Sequence, residues 1–144
     1  MKQQTKIQWK GNMLFNVDTL GGSFNIDGEE SVGGQNNGVR PKALMLTSLA
    51  GCTGMDVVSL LKKMRAEVDN LEIDVTGELT DEHPKYYNKV HVEYRFYGKD
   101  FKKNKIEKAV NLSQERYCGV SEMFRQFAEL TIDIKYIEKR INSM

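Results

Sequence analysis

The chain has 144 residues, 40% of them hydrophobic and 28% charged, and this composition predicts a single folded domain with its own hydrophobic core. Its 21 basic and 20 acidic residues leave a formal net charge of +1, and no long basic run occurs, so binding of nucleic acid is not expected. The N-terminus, MKQQTKIQWKGNM, lacks the apolar stretch of a secretory signal, so we expect a cytoplasmic protein with reduced cysteines.

Residues 1–39 are predicted to form three short antiparallel strands in a meander, followed by a loop. Apolar residues alternate with polar ones over 6–9, 13–17 and 22–26, and glycine-containing turns separate these segments. The loop that follows, DGEESVGGQNNGV, is rich in glycine and asparagine, which predicts a flexible connector. It lacks both the GxGxxG spacing and the GKS or GKT ending of phosphate-binding loops, so its alternative role would be a lid over a site at the next helix.

Residues 40–67 are predicted to form a long central helix. Pro41 lies where a helix can begin, since the first turn does not need its N–H. Between Ala43 and Leu61 the only charged residue is Asp56, and this length would just span a bilayer. The threonines, serines and glycines of the segment favour instead a helix buried in the protein or at a subunit interface, so we predict no contact with a membrane.

Residues 70–144 are predicted to fold as two strands, two helices and a final strand. Alternation of apolar and polar residues indicates strands that cover a core on one side. Asn104 followed by Glu107 resembles a capping box at the start of the first helix, and Ser121 is predicted to cap a short second helix that ends at Phe127. The apolar positions of the three strands are Leu71, Ile73 and Val75; Val90, Val92, Tyr94 and Phe96; and Leu130, Ile132, Ile134 and Tyr136.

This order of elements predicts one α+β domain over residues 1–144, with antiparallel sheets packed around the long central helix. A helix with so little polar surface needs apolar cover on every side, and one small domain does not supply it. We therefore expect an intertwined homodimer, in which a second copy of the chain completes the cover.

Cys52 lies in the middle of the central helix, in the small-residue segment LAGCTGMD. A glycine inside a helix costs about 1 kcal/mol relative to alanine, so Gly51 and Gly54 predict close approach by another segment. A free cysteine in such a place is either a redox-active thiol or a small core residue, and these features alone do not separate the two interpretations.

Cys118 lies between the two C-terminal helices, in RYCGVSEMF. The positive end of a helix dipole favours the thiolate form of a cysteine placed just before the helix, and Arg116 adds a nearby cation. An inert loop cysteine is the alternative. Together, two thiols suit a mechanism in which one is oxidised by a peroxide to a sulfenic acid and the other condenses with it to a disulfide.

Three other residues, His83, His91 and Asp56, carry side chains capable of chemistry. His83 lies in a predicted loop and His91 on the polar face of a strand, so we predict no metal site. Asp56 lies one turn after Cys52 in an apolar helix and must find a hydrogen-bonding partner. Its negative charge would raise the pKa of Cys52, so it is not expected to activate that thiol.

Two motifs resemble those of the OsmC/Ohr family. The segment RPKALMLTSLAGCTGMDVVSLLKKMR, residues 40–65, is similar to the family's central helix, with an X-Pro start, an apolar run and a small-small-Cys step. CGVS, residues 118–121, resembles the family's Cys-Pro-x-Ser motif, with Gly119 in place of proline. The order of predicted elements also matches the family across nearly the whole chain.

The resemblance implies an intertwined homodimer that reduces hydroperoxides, preferably organic ones, through its thiols. Cys52 would be the peroxidatic cysteine and Cys118 the resolving one. The resemblance also implies a dithiol reductant, lipoyl-type in the best-known branch, and neither a metal nor an organic cofactor.

The sequence departs from the family at the group that activates the thiolate. Family peroxidases carry a glutamate just after the X-Pro step, paired with an arginine, whereas Lys42 and Ala43 stand at the matching positions here. Arg40 is the only arginine before Pro41 and is therefore the candidate for the activating cation. Twelve positions of continuous helix span about 18 Å, so Arg40 would reach Cys52 only if the chain folds back or if it acts across a dimer.

Three functions therefore remain open at the level of sequence. The first is a cysteine-based hydroperoxide reductase. The second is a dimer of the same fold that binds a lipid or another small molecule without turnover, which the missing glutamate favours. The third is a thiol sensor that signals through its disulfide to a partner protein.

Overall fold

A computed structural model describes residues 1–138 and shows an α+β fold with two three-stranded sheets and three α-helices in that part of the chain. The chain divides into two compact units, Met1–Met45 and a second that begins at Leu46. The division falls in the first turn of the long helix α1 (Leu44–Lys63).

The N-terminal unit contains the predicted meander. Strands β1 (Lys6–Trp9), β2 (Phe15–Thr19) and β3 (Gly22–Ile26) pair in the order β1-β2-β3, and both pairs are antiparallel. The prediction of three strands is confirmed. β2 begins two residues later than predicted, because Gly11 and Asn12 adopt positive φ values of 103° and 50° and lengthen the preceding turn.

The glycine-rich loop after β3 is organised around a buried aspartate. Asp27 is 3% exposed, and its carboxylate accepts hydrogen bonds from the backbone N–H groups of Gly28 at 2.7 Å, Gln35 at 3.2 Å and Asn37 at 3.1 Å. These bonds lower the pKa of Asp27 and keep its carboxylate charged, and the bond from Asn37 contributes most. The loop also contains a 3-10 turn at Glu30–Val32, so local bonds hold a segment for which the sequence predicted only flexibility.

Helix α1 is shorter than the predicted range 40–67 at both ends. The N–H of Leu44 bonds to the carbonyl of Pro41 at 3.2 Å, so the residues after the proline form a turn before the helix begins. At the other end Arg65 has a φ of 57°, which stops the helical path, and the N–H of Ala66 bonds back into the last turn.

The second sheet has the order β4-β5-β6, with β4 (Asn70–Leu79), β5 (Tyr87–Gly98) and β6 (Glu129–Glu138). β4 and β5 are antiparallel as predicted, but β5 and β6 are parallel, so the prediction of purely antiparallel sheets is wrong. A helical crossover returns the chain to the end of the sheet where β5 began, which is how parallel neighbours are connected. The crossover consists of α2 (Lys103–Leu112), a π-helical turn (Ser113–Tyr117) and α3 (Gly119–Arg125).

Lysines cover the C-terminal end of α1. Lys102 Nζ donates to the carbonyl of Arg65 and Lys105 Nζ to that of Met64, both at 2.9 Å, which satisfies carbonyls that have no partner inside the helix. The predicted capping box at Asn104 is wrong, because α2 begins at Lys103 and no side chain caps it.

Only one stripe of α1 is buried within the described chain. Met55 is 77% exposed and Val58 56% exposed, so a single subunit leaves part of the apolar surface of α1 uncovered, as the sequence predicted. α1 is long and apolar enough to cross a membrane, but the core helices of soluble proteins can be equally long and apolar. The stripe packs with β5 and α2 in the core of the C-terminal unit and consists of Leu49, Thr53, Val57 and Leu61.

One of the two helical glycines beside Cys52 permits close packing. A Cβ atom at Gly54 would lie 3.1 Å from Ile73 Cδ1, so β4 approaches α1 closely there, as the sequence predicted. Gly51 instead faces open space within the subunit.

Candidate active site

The fold brings the two cysteines together. Cys52 lies in the middle of α1, and Cys118 lies at the N-terminus of α3, far away in the sequence. Their Sγ atoms and one carboxylate oxygen of Asp56 all lie within 4.8 Å of one another. Both thiols are free. The sequence alone did not establish this proximity.

Cys118 is the buried member of the pair. It is 3% exposed and is itself the N-cap of α3, with its Sγ accepting a hydrogen bond from the N–H of Ser121 at 3.4 Å. The prediction that Ser121 caps this helix is therefore wrong, because the helix begins two residues earlier, at Gly119. The backbone N–H of Cys118 bonds to the carbonyl of Ser113 at 2.7 Å and fixes the residue to the π-helical turn.

Cys52 is partly exposed and is the member that solvent reaches. Burial raises its pKa, and a hydrogen bond with Cys118 and the negative charge of Asp56 raise it further. A hydrogen bond from the backbone N–H of Val120 acts in the opposite direction. The charge of Asp56 therefore opposes the thiolate form of Cys52, in line with the expectation that Asp56 does not activate this thiol.

A chain of buried hydrogen bonds ends on Asp56. Ser113 Oγ donates to Asp56 Oδ2 at 3.0 Å, and Thr53 Oγ1 lies 2.8 Å from Ser113 Oγ and 2.6 Å from the Tyr94 hydroxyl. Gln114 Nε2 donates to the Tyr94 oxygen at 2.6 Å.

Each hydroxyl carries one proton, and this fixes the direction of every bond in the chain. Because the Ser113 hydroxyl donates its hydrogen bond to Asp56, Ser113 can only accept from Thr53. The Thr53 hydroxyl therefore donates to Ser113 and accepts from the Tyr94 hydroxyl. All the hydroxyl dipoles thus point toward the carboxylate, an arrangement in which successive hydrogen bonds strengthen one another.

Residue spacing does not predict this network. Spacing places Tyr94 only on the apolar face of its strand, and Ser113 and Gln114 lie in a π-helical turn that spacing does not reveal. One signal was available: Thr53 falls in the same i, i+4 stripe as Leu49 and Val57, and a hydroxyl on a buried stripe needs a partner.

Arg40 makes its hydrogen bonds within the N-terminal unit. Its guanidinium donates to the carbonyl of Gly38 at 3.2 Å and to the side chain of Asn36, and its charge helps to lower the pKa of Asp27. Its role as the cation that activates Cys52 stays a prediction.

The other residues singled out in the sequence are Lys42 and the two histidines. Lys42 falls in the turn that precedes α1, where the family glutamate is missing. Among the described residues, neither histidine belongs to the group formed by the cysteines and Asp56. His91 Nδ1 lies 2.6 Å from Thr131 Oγ1 on the exposed face of the second sheet, and His83 lies in the loop between β4 and β5.

Comparison with known proteins identifies the family to which this chain belongs. The family model described as OsmC-like protein matches residues 34–133, which include Cys52, Asp56 and Cys118. The chain belongs to this family. The OsmC-like match spans α1, the whole second sheet up to Asp133 and the crossover that carries the second cysteine.

Individual relatives cover nearly the whole chain. Protein YhfA of Escherichia coli K12 is 28% identical over 129 residues, which are 89% of this chain and 93% of that protein. The crystal structure of a hypothetical protein from Aquifex aeolicus is 28% identical with a TM-score of 0.84, and the match covers 97% of this chain and 99% of that one. The organic hydroperoxide resistance protein OhrB of Bacillus subtilis shares the fold, with a TM-score of 0.62 at 20% identity over 94% of this chain and 98% of its own.

Proposed function

We propose that the protein is a thiol-dependent hydroperoxide reductase in which Cys52 is the peroxidatic cysteine and Cys118 the resolving one. The observation that carries the proposal is the approach of two free thiols, from α1 and from the start of α3, to within 4.8 Å. Their exposure supports the order of roles, because a peroxide reaches the partly exposed Cys52 more readily than the buried Cys118. The name of the Bacillus subtilis relative agrees with organic hydroperoxides as the substrate class.

The chemistry proceeds in two steps. Cys52 first loses its proton to solvent, and its thiolate then attacks one peroxide oxygen. The O–O bond breaks, the leaving alkoxide takes up a proton to become an alcohol, and Cys52 becomes a sulfenic acid. The Cys118 thiolate then attacks the Cys52 sulfur, and hydroxide leaves and is protonated to water. The resulting disulfide is reduced by exchange with an external dithiol.

The distance between the sulfur atoms suits this sequence of steps. A disulfide bond is about 2.05 Å long, so two sulfurs that start within 4.8 Å must approach by less than about 3 Å. Rotation of the two cysteine side chains and a small movement at the start of α3 would supply a displacement of that size.

The test is consumption of an organic hydroperoxide with a dithiol reductant, with a metal chelator present. Cys52→Ser should abolish consumption, whereas Cys118→Ser should form the sulfenic acid once and then stop. Thr131→Ala, at an exposed position of β6, is the control and should match the wild type. After one equivalent of peroxide, mass spectrometry should find a peptide that links the two cysteines. Equal turnover by Cys52→Ser would refute the proposal.

We also propose that two copies of the chain associate in the cytoplasm through the exposed side of α1. The exposed apolar residues Met55 and Val58 support this, as does a groove beside α1 in the C-terminal unit. Small residues in its lining would let the backbone of a second helix approach closely. Its lining includes Thr47, Ala50, Gly51, Gly54 and Ile73.

Light scattering tests the dimer directly. The wild type should have twice the mass of one chain, and Met55→Glu should lower that mass toward a single chain at the same concentration. Asn111→Glu, which introduces the same negative charge at an exposed position of α2, should leave the mass unchanged. A wild-type protein with the mass of one chain would refute association. Lipid co-purifying with such a monomer would favour the binding module that the sequence left open, with the groove as its site.

A further inference from the structure

Asp56 has no use in the proposed peroxidase chemistry, because its charge opposes a thiolate at Cys52. It nevertheless lies with both sulfurs in one compact group of possible metal ligands. We propose that reduced Cys52 and Cys118, together with Asp56, form a binding site for a thiophilic divalent cation, with Zn²⁺ the ion that the ligands fit best. This inference goes beyond the proposed function and does not depend on it.

The distances suit a tetrahedral ion. With Zn–S bonds of about 2.3 Å and a Zn–O bond of about 2.1 Å, two sulfurs on one Zn²⁺ lie about 3.8 Å apart and each lies about 3.6 Å from the oxygen. The three ligand atoms already lie within 4.8 Å of one another, so each pair needs to close by about 1 Å at most. Two thiolates and one carboxylate are ligands that Zn²⁺ accepts, and water would fill the fourth position.

The hydrogen-bonded chain behind Asp56 also supports a cation site. Carboxylates that hold metals are usually oriented by hydrogen bonds from neighbouring groups. Ser113 donates to Asp56 Oδ2 at 3.0 Å, and the direction of the bonds through Thr53 and Tyr94 sends every hydroxyl dipole toward the carboxylate. The carboxylate is thus held in a fixed orientation beside the two sulfurs, as a metal ligand requires.

The neutral dithiol and the Asp56 carboxylate bind Zn²⁺ and release two thiol protons, which leaves a complex of net charge −1. Both sulfurs are then occupied, so the bound ion and the Cys52–Cys118 disulfide exclude each other. Binding therefore occurs only in the reduced protein, and affinity rises with pH because protons are released.

The experiment uses reduced, chelator-stripped full-length protein without air or peroxide. Zn²⁺ affinity is measured by competition with a chromophoric chelator, and Co²⁺ serves as a spectroscopic probe of thiolate ligands. One Zn²⁺ should bind per chain, and Co²⁺ should give thiolate charge-transfer absorption that falls by about half in either Cys→Ser variant, since each removes one of two thiolates.

The variants at Asp56 and Ser113 decide whether the carboxylate and its orientation matter. Ser113→Ala should weaken Zn²⁺ about 10- to 100-fold, the usual loss when a group that orients a ligand is removed. Asp56→Asn should weaken it more. Asp81→Asn, a carboxylate in the exposed loop between β4 and β5, should not change it. Circular dichroism verifies that each variant is folded.

Any of three results would overturn the site. The wild type could bind Zn²⁺ no more tightly than the variant that lacks both cysteines, or the Co²⁺ spectra could show no thiolate absorption. The third is a Zn²⁺ affinity that is unchanged in both Asp56→Asn and Ser113→Ala. The peroxidase assay contains a chelator and the metal titration contains no peroxide. Failure of one proposal therefore leaves the other standing.

Discussion

The hydroxyl of Thr53 connects α1 to the rest of the buried polar chain, and Thr53→Val removes it while keeping nearly the same shape. Thr53 and Tyr94 are both fully buried, and Thr53 Oγ1 makes bonds of 2.6 Å to Tyr94 and 2.8 Å to Ser113. Each lost hydrogen bond contributes about 1 kcal/mol net, and a buried hydroxyl left without its partner adds a penalty of about 1 kcal/mol or more. We expect Thr53→Val to lower the free energy of unfolding by about 2–4 kcal/mol.

Urea denaturation followed by circular dichroism measures this change. Thr53→Ser keeps the hydroxyl and loses only a methyl group, so it should be destabilised by about 1 kcal/mol. Thr76→Val makes the same substitution at an exposed position of β4 and should stay within about 0.5 kcal/mol of the wild type. If Thr53→Val were as stable as Thr76→Val, the directed chain of hydrogen bonds would not contribute to stability as argued.

Three further predictions concern the thiol and two helix ends. Asp56→Asn removes a negative charge that raises the pKa of Cys52, so alkylation of Cys52 at neutral pH should become faster and its pH profile should shift to lower pH; a shift to higher pH would contradict this. Gly119→Pro restores the family's proline at the first position of α3, where the preceding residue is already extended, and should stabilise the protein by about 0.4–1 kcal/mol in urea. Lys102→Ala should cost about 0.5–1 kcal/mol by removing a cap from α1, whereas Lys108→Ala should cost nothing measurable; equal losses would count against the cap.

Much of the fold follows from residue spacing, and the error in the sheet has a clear cause. Alternation in Leu71, Ile73 and Val75, and again in Leu130, Ile132 and Ile134, placed β4 and β6 and their apolar faces correctly. The same alternation occurs in parallel and antiparallel strands, so spacing does not give the direction of β6. That direction depends on how α2 and α3 carry the chain across the sheet.

The candidate site was predictable in part. The sequence singled out Cys52, Cys118 and Asp56, but their approach depends on packing between α1 and the start of α3. The hydrogen-bonded chain was missed because serine and threonine occur in many environments, and only the packed core shows that Thr53 and Ser113 are buried together. The length of α1 was overestimated because its ends depend on the conformation of single residues such as Arg65.

The position of Cys118 as the N-cap of α3 links the oxidation state of the thiols to local helix stability. In the reduced protein its sulfur accepts the N–H of Ser121, one of the first-turn donors that have no partner inside the helix. A disulfide would draw this sulfur toward Cys52 and away from the N–H of Ser121, so oxidation should loosen the first turn of a helix only seven residues long. Faster amide hydrogen exchange at Ser121 in the oxidised protein would report that loosening, and a partner protein that recognises α3 would then distinguish the two oxidation states.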